Sequence, residues 1–388
     1  MAQRRERYHT AMKTKKIISV LIPIIVLGIG CQKRFIRGVS SFRVRSTSTW
    51  GVDSRRTGYS GMEVNPPFKL AWTYKASGAV GEAIVAVDSF LVFGTKAGEI
   101  HVLMMKTGKS LKNLKVEKKV EVTCLAVEDR LIAFQRWQQP SIRCFSFSTG
   151  KIVWEEHLGP IVGEPLLADG HIIGGTERGE VFSMDSPQGS VDWKTSLGKP
   201  VMGSVAESGD IVVCATEGGK VCALSSHSGS LEWQRRISGS FTATPVLSDG
   251  RVFIGTTEGR FYGLAMEDGS IIWDRMLEGG VYLTAAVAEG FVFIGTTQGL
   301  LCCLDAQDGS ECWRFETGSV IGTSPVISGR WVYFGSLDRT LYALDRFTGE
   351  EAWQFKAKGR IRTSPLIWNN TLIIASEDRY VYGFVEDK

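Results

Sequence analysis

The sequence predicts an all-β protein, an eight-bladed β-propeller made of four-stranded antiparallel blades. Its 388 residues include 44 glycines and 11 tryptophans, a combination expected where many tight turns return to large apolar anchors. Seven of the tryptophans recur at intervals of about 40 residues, or of about twice that length across one gap, and such a period is typical of propellers. Short runs rich in Val, Ile, Tyr and Phe are separated by Gly and Asp, and no stretch between them is long enough to form a helix.

Each repeat supplies three strands before the strand that carries the tryptophan. In residues 324–345, three apolar runs are separated by turn residues, and a fourth strand with Trp353 follows the turn at Gly349. Parallel segments lie at 79–104, 121–147, 163–185, 201–225, 241–265, 281–305, 321–345 and 361–385. We therefore expect eight blades of about 40 residues each in a single domain, residues 68–388.

The last repeat has no tryptophan strand, and the first tryptophan strand has no repeat before it. Residues 361–385 are followed only by the end of the sequence, whereas residues 68–75 contain Trp72 and stand alone. We expect this N-terminal strand to complete the last blade and close the ring, because an unpaired sheet edge invites aggregation.

The repeated tryptophans are predicted to dock neighbouring blades. Each indole would fill the space between two blades and bury roughly 150–250 Å². The residues concerned are Trp72, Trp154, Trp193, Trp233, Trp273, Trp313 and Trp353. Lys112 stands at the eighth position, and a charged strand with Lys112, Lys115, Lys118 and Lys119 would either protect an edge or face an acidic partner.

The first 31 residues have the order of an export signal. Basic residues precede an apolar run over residues 17–29, too short to span a bilayer, and small residues lead to Cys31. Translation could begin at Met1 or at Met12. The ending resembles a bacterial lipobox, which implies cleavage before Cys31 and a lipid anchor on that cysteine. A signal peptide cut elsewhere and a retained membrane anchor are the alternatives.

Residues 32–67 are predicted to form a basic tether and leader segment. Next to a lipid, its lysines and arginines would lie on anionic headgroups; alternatively, they only keep a solvated linker extended. Gln32 follows Cys31, and the resemblance to enterobacterial lipoproteins then implies the periplasmic face of the outer membrane, where the organism has two membranes.

The turn before the last tryptophan strand carries a specific pattern. Ala343, Asp345, Thr348, Gly349 and Trp353 form Ala-x-Asp-x-x-Thr-Gly-x-x-x-Trp, in which Asp and Gly shape the hairpin. The pattern resembles the pyrroloquinoline-quinone (PQQ) type of β-propeller repeat, over roughly the whole chain beyond the first 47 residues. The length, anchor signal and blade number also resemble the BamB-type outer-membrane assembly lipoproteins. This resemblance implies a non-catalytic scaffold for partner proteins at the cell envelope.

A PQQ-dependent oxidoreductase is the alternative function. The resemblance to quinoprotein dehydrogenases implies calcium and an aspartate base, and Cys302-Cys303 is similar to the adjacent cysteines beside their quinone. Both cysteines also fit ordinary core positions. The five histidines show no metal spacing. We expect no catalytic residues, metal or cofactor, with PQQ and calcium as the alternative, and a ligand-sensing envelope propeller as a third function.

Two pairs of cysteines are close enough in sequence to form disulfides. Cys214 and Cys222 lie on two adjacent strands joined by one hairpin turn. Cys303 and Cys312 lie on either side of the following hairpin turn of their repeat, the one that leads into the tryptophan strand. The alternative for both pairs is a set of buried free thiols.

Partner binding is predicted from one unusual turn and from the charge. In the second blade, Arg136, Trp137 and Gln138 replace the usual Gly-Thr turn, and Trp and Arg are enriched at interface hot spots. The alternative is a loop folded over a neighbouring blade. A net charge of +4 argues against nucleic-acid binding. We expect a monomer that acts within a complex of envelope proteins.

Overall fold

The computed structural model describes residues 46–47, 53–116, 122–135 and 140–387, with only the backbone at residues 46, 47, 82, 122 and 123. Strands and turns account for these residues, which include no helix long and apolar enough to cross a membrane. In the described ranges, thirty-four strands form eight sheets. The prediction of an all-β, eight-bladed propeller is confirmed.

Two short strands and one long strand precede the first blade: β1 (Ser46–Thr47), β2 (Tyr59–Ser60) and β3 (Phe68–Lys75). Blade 1 consists of β4 (Val80–Val87), β5 (Phe90–Thr95), β6 (Glu99–Met104) and β7 (Ser110–Lys115), and blade 2 of β8 (Val122–Val127), β9 (Arg130–Gln135), β10 (Ile142–Ser146) and β11 (Ile152–Glu156). Blade 3 consists of β12 (Ile161–Ala168), β13 (His171–Thr176), β14 (Glu180–Asp185) and β15 (Val191–Ser196), and blade 4 of β16 (Ala206–Ser208), β17 (Ile211–Ala215), β18 (Lys220–Ser225) and β19 (Leu231–Arg236).

Blade 5 consists of β20 (Val246–Ser248), β21 (Arg251–Gly255), β22 (Arg260–Ala265) and β23 (Ile271–Met276). Blade 6 consists of β24 (Ala286–Ala288), β25 (Phe291–Gly295), β26 (Leu300–Asp305) and β27 (Glu311–Glu316), and blade 7 of β28 (Val326–Ser328), β29 (Trp331–Gly335), β30 (Thr340–Asp345) and β31 (Glu351–Lys356). Blade 8 contains β32 (Leu366–Trp368), β33 (Thr371–Ala375) and β34 (Tyr380–Glu386). Within each blade the strands pair antiparallel in chain order, and the first strands of neighbouring blades contact one another around a central channel.

The ring closes as the sequence predicts. Strand β3 pairs antiparallel with β34, from Phe68 opposite Glu386 to Lys75 opposite Tyr380, and so becomes the outer strand of blade 8. The last blade therefore has four strands, of which one comes from the start of the propeller and three from its end. This pairing joins the two ends of the propeller directly.

Each tryptophan strand carries a β-bulge beside its tryptophan. In blade 5, Trp273 lies opposite Gly263, and the register shifts before Leu264. A Cβ atom at Gly263 would lie 2.4 Å from the indole, so only glycine fits under the ring there. The bulge turns the indole toward the next blade, where its N–H donates to the carbonyl of Ala306 at 3.1 Å.

The same contact recurs around the ring. The indole N–H groups of three other tryptophans donate to backbone carbonyls of the following blade at 2.8–3.0 Å: Trp193 to Ser226, Trp233 to Met266 and Trp313 to Arg346. The indoles also cover turn glycines of the following blade, including Gly108 under Trp72 and Gly189 under Trp154. The structure thus places the repeated tryptophans between blades. At the eighth position, Lys112 is exposed on β7.

The described part of the leader binds one end of the channel. The carbonyls of Ser54, Arg55, Thr57 and Gly58 accept hydrogen bonds at 2.7–2.9 Å from the backbone N–H groups of Glu207, Leu247, Val287 and Ile327, which belong to four successive blades. Strand β1 pairs with β4, and β2 pairs in parallel with β28. Residues 53–67 therefore lie against the propeller, whereas residues 32–45 of the predicted tether fall outside the described ranges.

All seven cysteines within the described ranges are free thiols. Cys312 is exposed, and the other six are buried. Cys214 and Cys222 face each other on β17 and β18, with the Cys214 Sγ 3.9 Å from the Cys222 carbonyl. Burial raises the pKa of the Cys124 and Cys144 thiols to about 12. The sequence left disulfides and free thiols as alternatives for the two cysteine pairs, and the structure contains free thiols.

Candidate functional site

The central channel contains a cavity with a volume of about 610 Å³. Its wall is formed by the residues at the start of the innermost strands, among them Gly81, Gly163, Gly203 and Gly322. At Gly203, a Cβ atom would lie 2.5 Å from the carbonyl of Ala243, so the backbones of neighbouring blades approach closely here. The small residues keep the ring tight and leave the cavity on its axis.

A belt of hydroxyl groups surrounds this cavity at one repeated position. We call it the hydroxyl belt, and it consists of Ser204, Thr244, Thr284, Ser324 and Ser364. The backbone N–H of Ser204 donates to Thr244 Oγ1 at 3.0 Å, and that of Ser324 donates to Ser364 Oγ at 3.1 Å. Likewise, the N–H of Thr284 donates to Ser324 Oγ at 3.1 Å. Each bond ties one blade to the next.

Glu164 occupies the belt position in blade 3. Its backbone N–H donates to Ser204 Oγ at 2.6 Å, which continues the pattern of the belt. Its side chain is buried, with 8% of the residue exposed. Its carbonyl accepts a hydrogen bond from the Arg56 guanidinium at 2.6 Å.

Arg56 lies at the end of the channel that the leader contacts. It is fully buried, and its Nε donates to the Val205 carbonyl at 3.2 Å in addition to the bond to Glu164. Burial lowers the pKa of Arg56 to about 10, while Glu164 and Asp53 oppose the shift by favouring the charged form. Asp53 holds the preceding turn, because its carboxylate accepts from the Thr57 backbone at 3.0 Å and from the Thr57 hydroxyl at 2.9 Å.

The open rim has two chemically different sides. Arg362 and Lys96, from blades 8 and 1, are exposed, and Arg362 forms an ion pair with Glu377. Across the channel, Met202 and the half-exposed Tyr282 provide an apolar side. The cavity thus offers Lys96 and the Arg362–Glu377 ion pair on one side, apolar surface on the other and hydroxyl groups between them.

The residues described here do not fit a quinone with calcium. Calcium takes six to eight oxygen ligands, including carboxylates, yet no group of three His, Cys, Asp or Glu residues among those described could hold a metal ion. Cys302 and Cys303 lie on the third strand of blade 6, opposite Ile294 and Phe293, and are packed in blade cores rather than lining the channel cavity.

Several other site residues predicted from the sequence fall outside the described residues. These are Cys31, Arg136, Trp137, Gln138, Lys118 and Lys119. Arg56 is not predicted from the sequence, because an arginine is ordinarily an exposed residue. The hydroxyl belt is not predicted either, although a Ser or Thr every 40 residues is a signal that the sequence contains.

Together, the blade architecture and the inner channel define a β-propeller built of PQQ-like repeats. A family profile described as Outer membrane protein assembly factor BamB matches residues 177–280, 267–334 and 317–387. These segments cover more than half of the chain, and the chain belongs to this family. None of the curated proteins matches the sequence significantly.

Solved structures share the fold at low sequence identity. The computationally designed Ika8 protein superposes with a TM-score of 0.73 at 18% identity, covering 82% of this chain and 100% of its own. Quinohemoprotein alcohol dehydrogenase from Comamonas testosteroni gives 0.76 at 14%, covering 88% and 81%. A europium-containing methanol dehydrogenase gives 0.72 at 14%, covering 85% and 89%. A designed protein and two enzymes thus share this architecture, which alone does not define an activity.

Proposed function

We propose that this protein is an exported, lipid-anchored scaffold that binds other proteins at the cell envelope without catalysing a reaction. The family match over residues 177–387 is the observation that carries the proposal, because the family is described as an outer-membrane protein assembly factor. The order of basic residues, apolar run and Cys31 supports export and lipidation. A role in outer-membrane protein assembly is the specific form of the proposal.

The outer strands of blades 4 and 5 supply a surface suited to this role. Leu231 on β19 and Ile271, Ile272 and Met276 on β23 are each about half exposed, between 46% and 57%. Both strands pair with only one neighbouring strand, so their outer edges are unpaired in the described sheets. Apolar side chains beside an open strand edge favour contact with another protein.

The anchor is tested by labelling cells with a radioactive fatty acid. The wild-type chain should incorporate the label and sediment with membranes, and Cys31→Ala should lose the label. Cys312→Ala is the matched control, because Cys312 is the exposed thiol of the described propeller and should have no part in lipidation. Label retained by Cys31→Ala would contradict the lipid anchor.

The scaffold role is tested by crosslinking intact cells and recovering the full chain from detergent-solubilised membranes. Envelope proteins should be recovered with the wild type, and Ile272→Glu with Met276→Glu should reduce them at least several-fold by placing charge on the exposed strand. Ile152→Glu, on the equally exposed outer strand of blade 2, is the control. Equal recovery with all variants, or recovery of no envelope protein, would contradict the proposal.

A further inference from the structure

We propose that the end of the propeller opposite the leader carries a binding surface for an acidic segment of a partner protein. The surface lies on blades 7 and 8 and consists of five exposed cations, which we call the basic patch: Lys75, Arg339, Lys358, Arg360 and Arg379. The inference rests on the proposed scaffold role and deepens it by naming the chemistry of one partner. Its surface is separate from the outer strands of blades 4 and 5.

The antiparallel order of the strands places all five cations at one end of the ring. The leader bonds to the innermost strands near their C-terminal ends, so these strands run toward the leader. Because neighbouring strands alternate in direction, every second and fourth strand ends at the opposite end of the ring. The patch residues end or follow such strands: Lys75 ends β3, Arg339 follows β29, Lys358 and Arg360 follow β31, and Arg379 follows β33.

Backbone hydrogen bonds join the segments that carry the patch. The carbonyls of its three arginines accept from neighbouring segments at 2.8–2.9 Å: Arg339 from Ala357, Arg360 from Glu377 and Arg379 from Ala76. Lys358 follows Ala357 in the chain, and Lys75 precedes Ala76. The five cations therefore border one continuous surface.

The charges of the patch are not matched by ion pairs. Among the described residues, no ion pair or side-chain hydrogen bond involves any of these five side chains, whereas exposed arginines such as Arg235 and Arg314 are paired with carboxylates. The three nearby carboxylates bind other groups: Glu377 pairs with Arg362, Asp338 accepts from the Tyr342 hydroxyl, and Asp378 accepts from the Ser376 hydroxyl. The patch cations outnumber these carboxylates, so the surface remains positive.

Tyr380 brings two of the lysines together. The Nζ atoms of Lys358 and Lys75 lie 4.3 and 5.7 Å from the centroid of its ring. Each ammonium is attracted to the ring, yet the two charges lie within about 10 Å of each other and repel. A carboxylate that binds between them would offset this repulsion, so the arrangement favours an anionic partner.

Two arginines of the patch occupy backbone positions that suit glycine. Arg339 and Arg379 have φ values of 78° and 75°. The equivalent turn residue is a glycine with φ between 78° and 93° in five other blades: Gly98, Gly179, Gly219, Gly259 and Gly299. A side chain in this left-handed region costs free energy, and such strain is commonly kept where the side chain has a function. The two arginines thus add charge at a cost to stability.

The position of the leader favours a protein over a lipid surface as the partner. Residues 46–47 and 53–60 contact the end of the ring opposite the patch, so the predicted tether from Cys31 joins the propeller at that end. The patch is therefore at the end that the tether does not join. Arg and Tyr are also enriched at protein–protein interfaces, and complementary charge sets the specificity of such contacts.

Fluorescence anisotropy of the full chain in non-ionic detergent tests the inference. The probe is a dye-labelled peptide of alternating Glu and Ser, and its control has Gln in place of every Glu. The acidic peptide should bind at least about tenfold more tightly than its Gln counterpart in about 50 mM salt, and the difference should shrink in about 500 mM salt, where charges are screened. Equal affinity for the two peptides in low salt would overturn the proposal.

Two variants and a matched control locate the binding. Arg379→Gly removes a cation and places glycine at a positive φ, so it should melt no lower than wild type while binding the acidic peptide about fivefold more weakly. Adding Lys358→Gln should weaken binding at least about tenfold. Arg178→Gln with Lys199→Gln removes two exposed cations from the same end of the ring beside blade 3 and should bind as wild type does. Unchanged binding in the patch variants, or an equal loss in the control, would contradict the assignment.

Two further outcomes separate this inference from its alternatives. If the patch variants lowered binding to phosphatidylglycerol vesicles and left peptide binding unchanged, the patch would be a lipid-binding surface and the proposal would be wrong. Envelope proteins recovered by crosslinking from a chain that does not bind the acidic peptide would overturn this inference and leave the scaffold role intact. Peptide binding at the patch without recovery of any envelope protein would instead contradict the scaffold role.

Discussion

His101 is buried at the seam where the propeller closes. Its Nδ1 is 3.0 Å from the hydroxyl of Tyr74 on the closing strand, and its Nε2 is 2.9 Å from Ser77 Oγ. Its ring stacks on Phe93 with a centroid distance of 5.2 Å. Burial lowers the pKa of His101 below its usual value of 6.5, and Glu99, 3.6 Å away, only partly opposes that shift. The folded seam therefore favours the neutral imidazole.

This environment predicts that acid destabilises the protein through His101. Below pH 6.5 the unfolded histidine binds a proton that the folded one does not, so the free energy of unfolding falls as the pH decreases toward the folded pKa. The slope is at most about 1.4 kcal/mol per pH unit for one group. Urea unfolding at pH 7.5 and 5.5 should show a smaller loss for His101→Gln than for wild type. His157→Gln, which replaces an exposed histidine, is the control, and equal losses in wild type and His101→Gln would refute the assignment.

Two adjacent arginines of the leader should differ sharply in their effect on stability. Arg56 is fully buried and bonds two carbonyls, whereas Arg55 is exposed and only pairs with Asp53 at 3.3 Å. Arg56→Ala leaves those buried groups without their donor and should cost about 3–5 kcal/mol. Arg55→Ala should change stability by no more than about 0.5 kcal/mol. Urea unfolding of both variants measures the difference, and similar losses would show that Arg56 does not hold the channel end.

At the scale of elements, the leader and the closing strand have separable roles. The leader bonds to four inner strands of the ring, and the closing strand β3 completes blade 8. The leader adds contacts to a ring that is already closed, whereas β3 is part of the ring itself. Loss of β3 would expose the edge of β34 and remove Phe68, whose ring contacts Tyr333 and Trp353.

Two truncations test this distinction. A chain that begins at Met62 loses the part of the leader that bonds to the four inner strands but keeps β3, and it should fold as a monomer with a lower melting temperature. A chain that begins at Ala76 loses β3 as well and should aggregate, because an open apolar strand edge pairs with other chains. Size-exclusion chromatography with thermal melting separates the two outcomes. A monomeric, cooperatively melting chain from Ala76 would mean that the ring does not need its closing strand.

At the scale of the whole molecule, the fold is shared with solved quinoprotein dehydrogenases. The described cavity is bordered by hydroxyl groups, glycines and charged side chains, and Arg56 of the leader contacts the backbone of Glu164 in its wall. The vicinal cysteines lie in the blade cores. Among the described residues, no group of three His, Cys, Asp or Glu side chains could hold a metal ion.

We therefore expect PQQ with calcium to leave the intact protein unchanged. A ligand that binds only the folded state raises the melting temperature by an amount that grows with the logarithm of its concentration above the dissociation constant. Neither a shift in melting temperature with PQQ and calcium nor turnover of alcohols in a dye-linked oxidation assay is expected. A concentration-dependent rise in melting temperature together with turnover would replace the scaffold with the oxidoreductase.

Much of the fold could be predicted from the sequence because its signals are local and repeated. The tryptophan spacing predicts the blades, and the unmatched strand with Trp72 predicts the closure by β3, which the structure confirms. The site was less predictable. Arg56 is a single charged residue in a basic segment, and nothing around it in the sequence indicates that it is buried under Glu164 and Val205.

The sequence by itself determined the strand pattern, the number of blades and the way the ring closes, because these follow from the alternation of apolar and turn residues and from a repeat of about 40 residues. Only the tertiary structure decided the content of the channel. Residues such as Ser204 and Ser364 are far apart in the chain, and they form one belt because ring closure brings the start of each inner strand to the same axis. A function that resides on that axis depends on contacts between blades, which no single repeat contains.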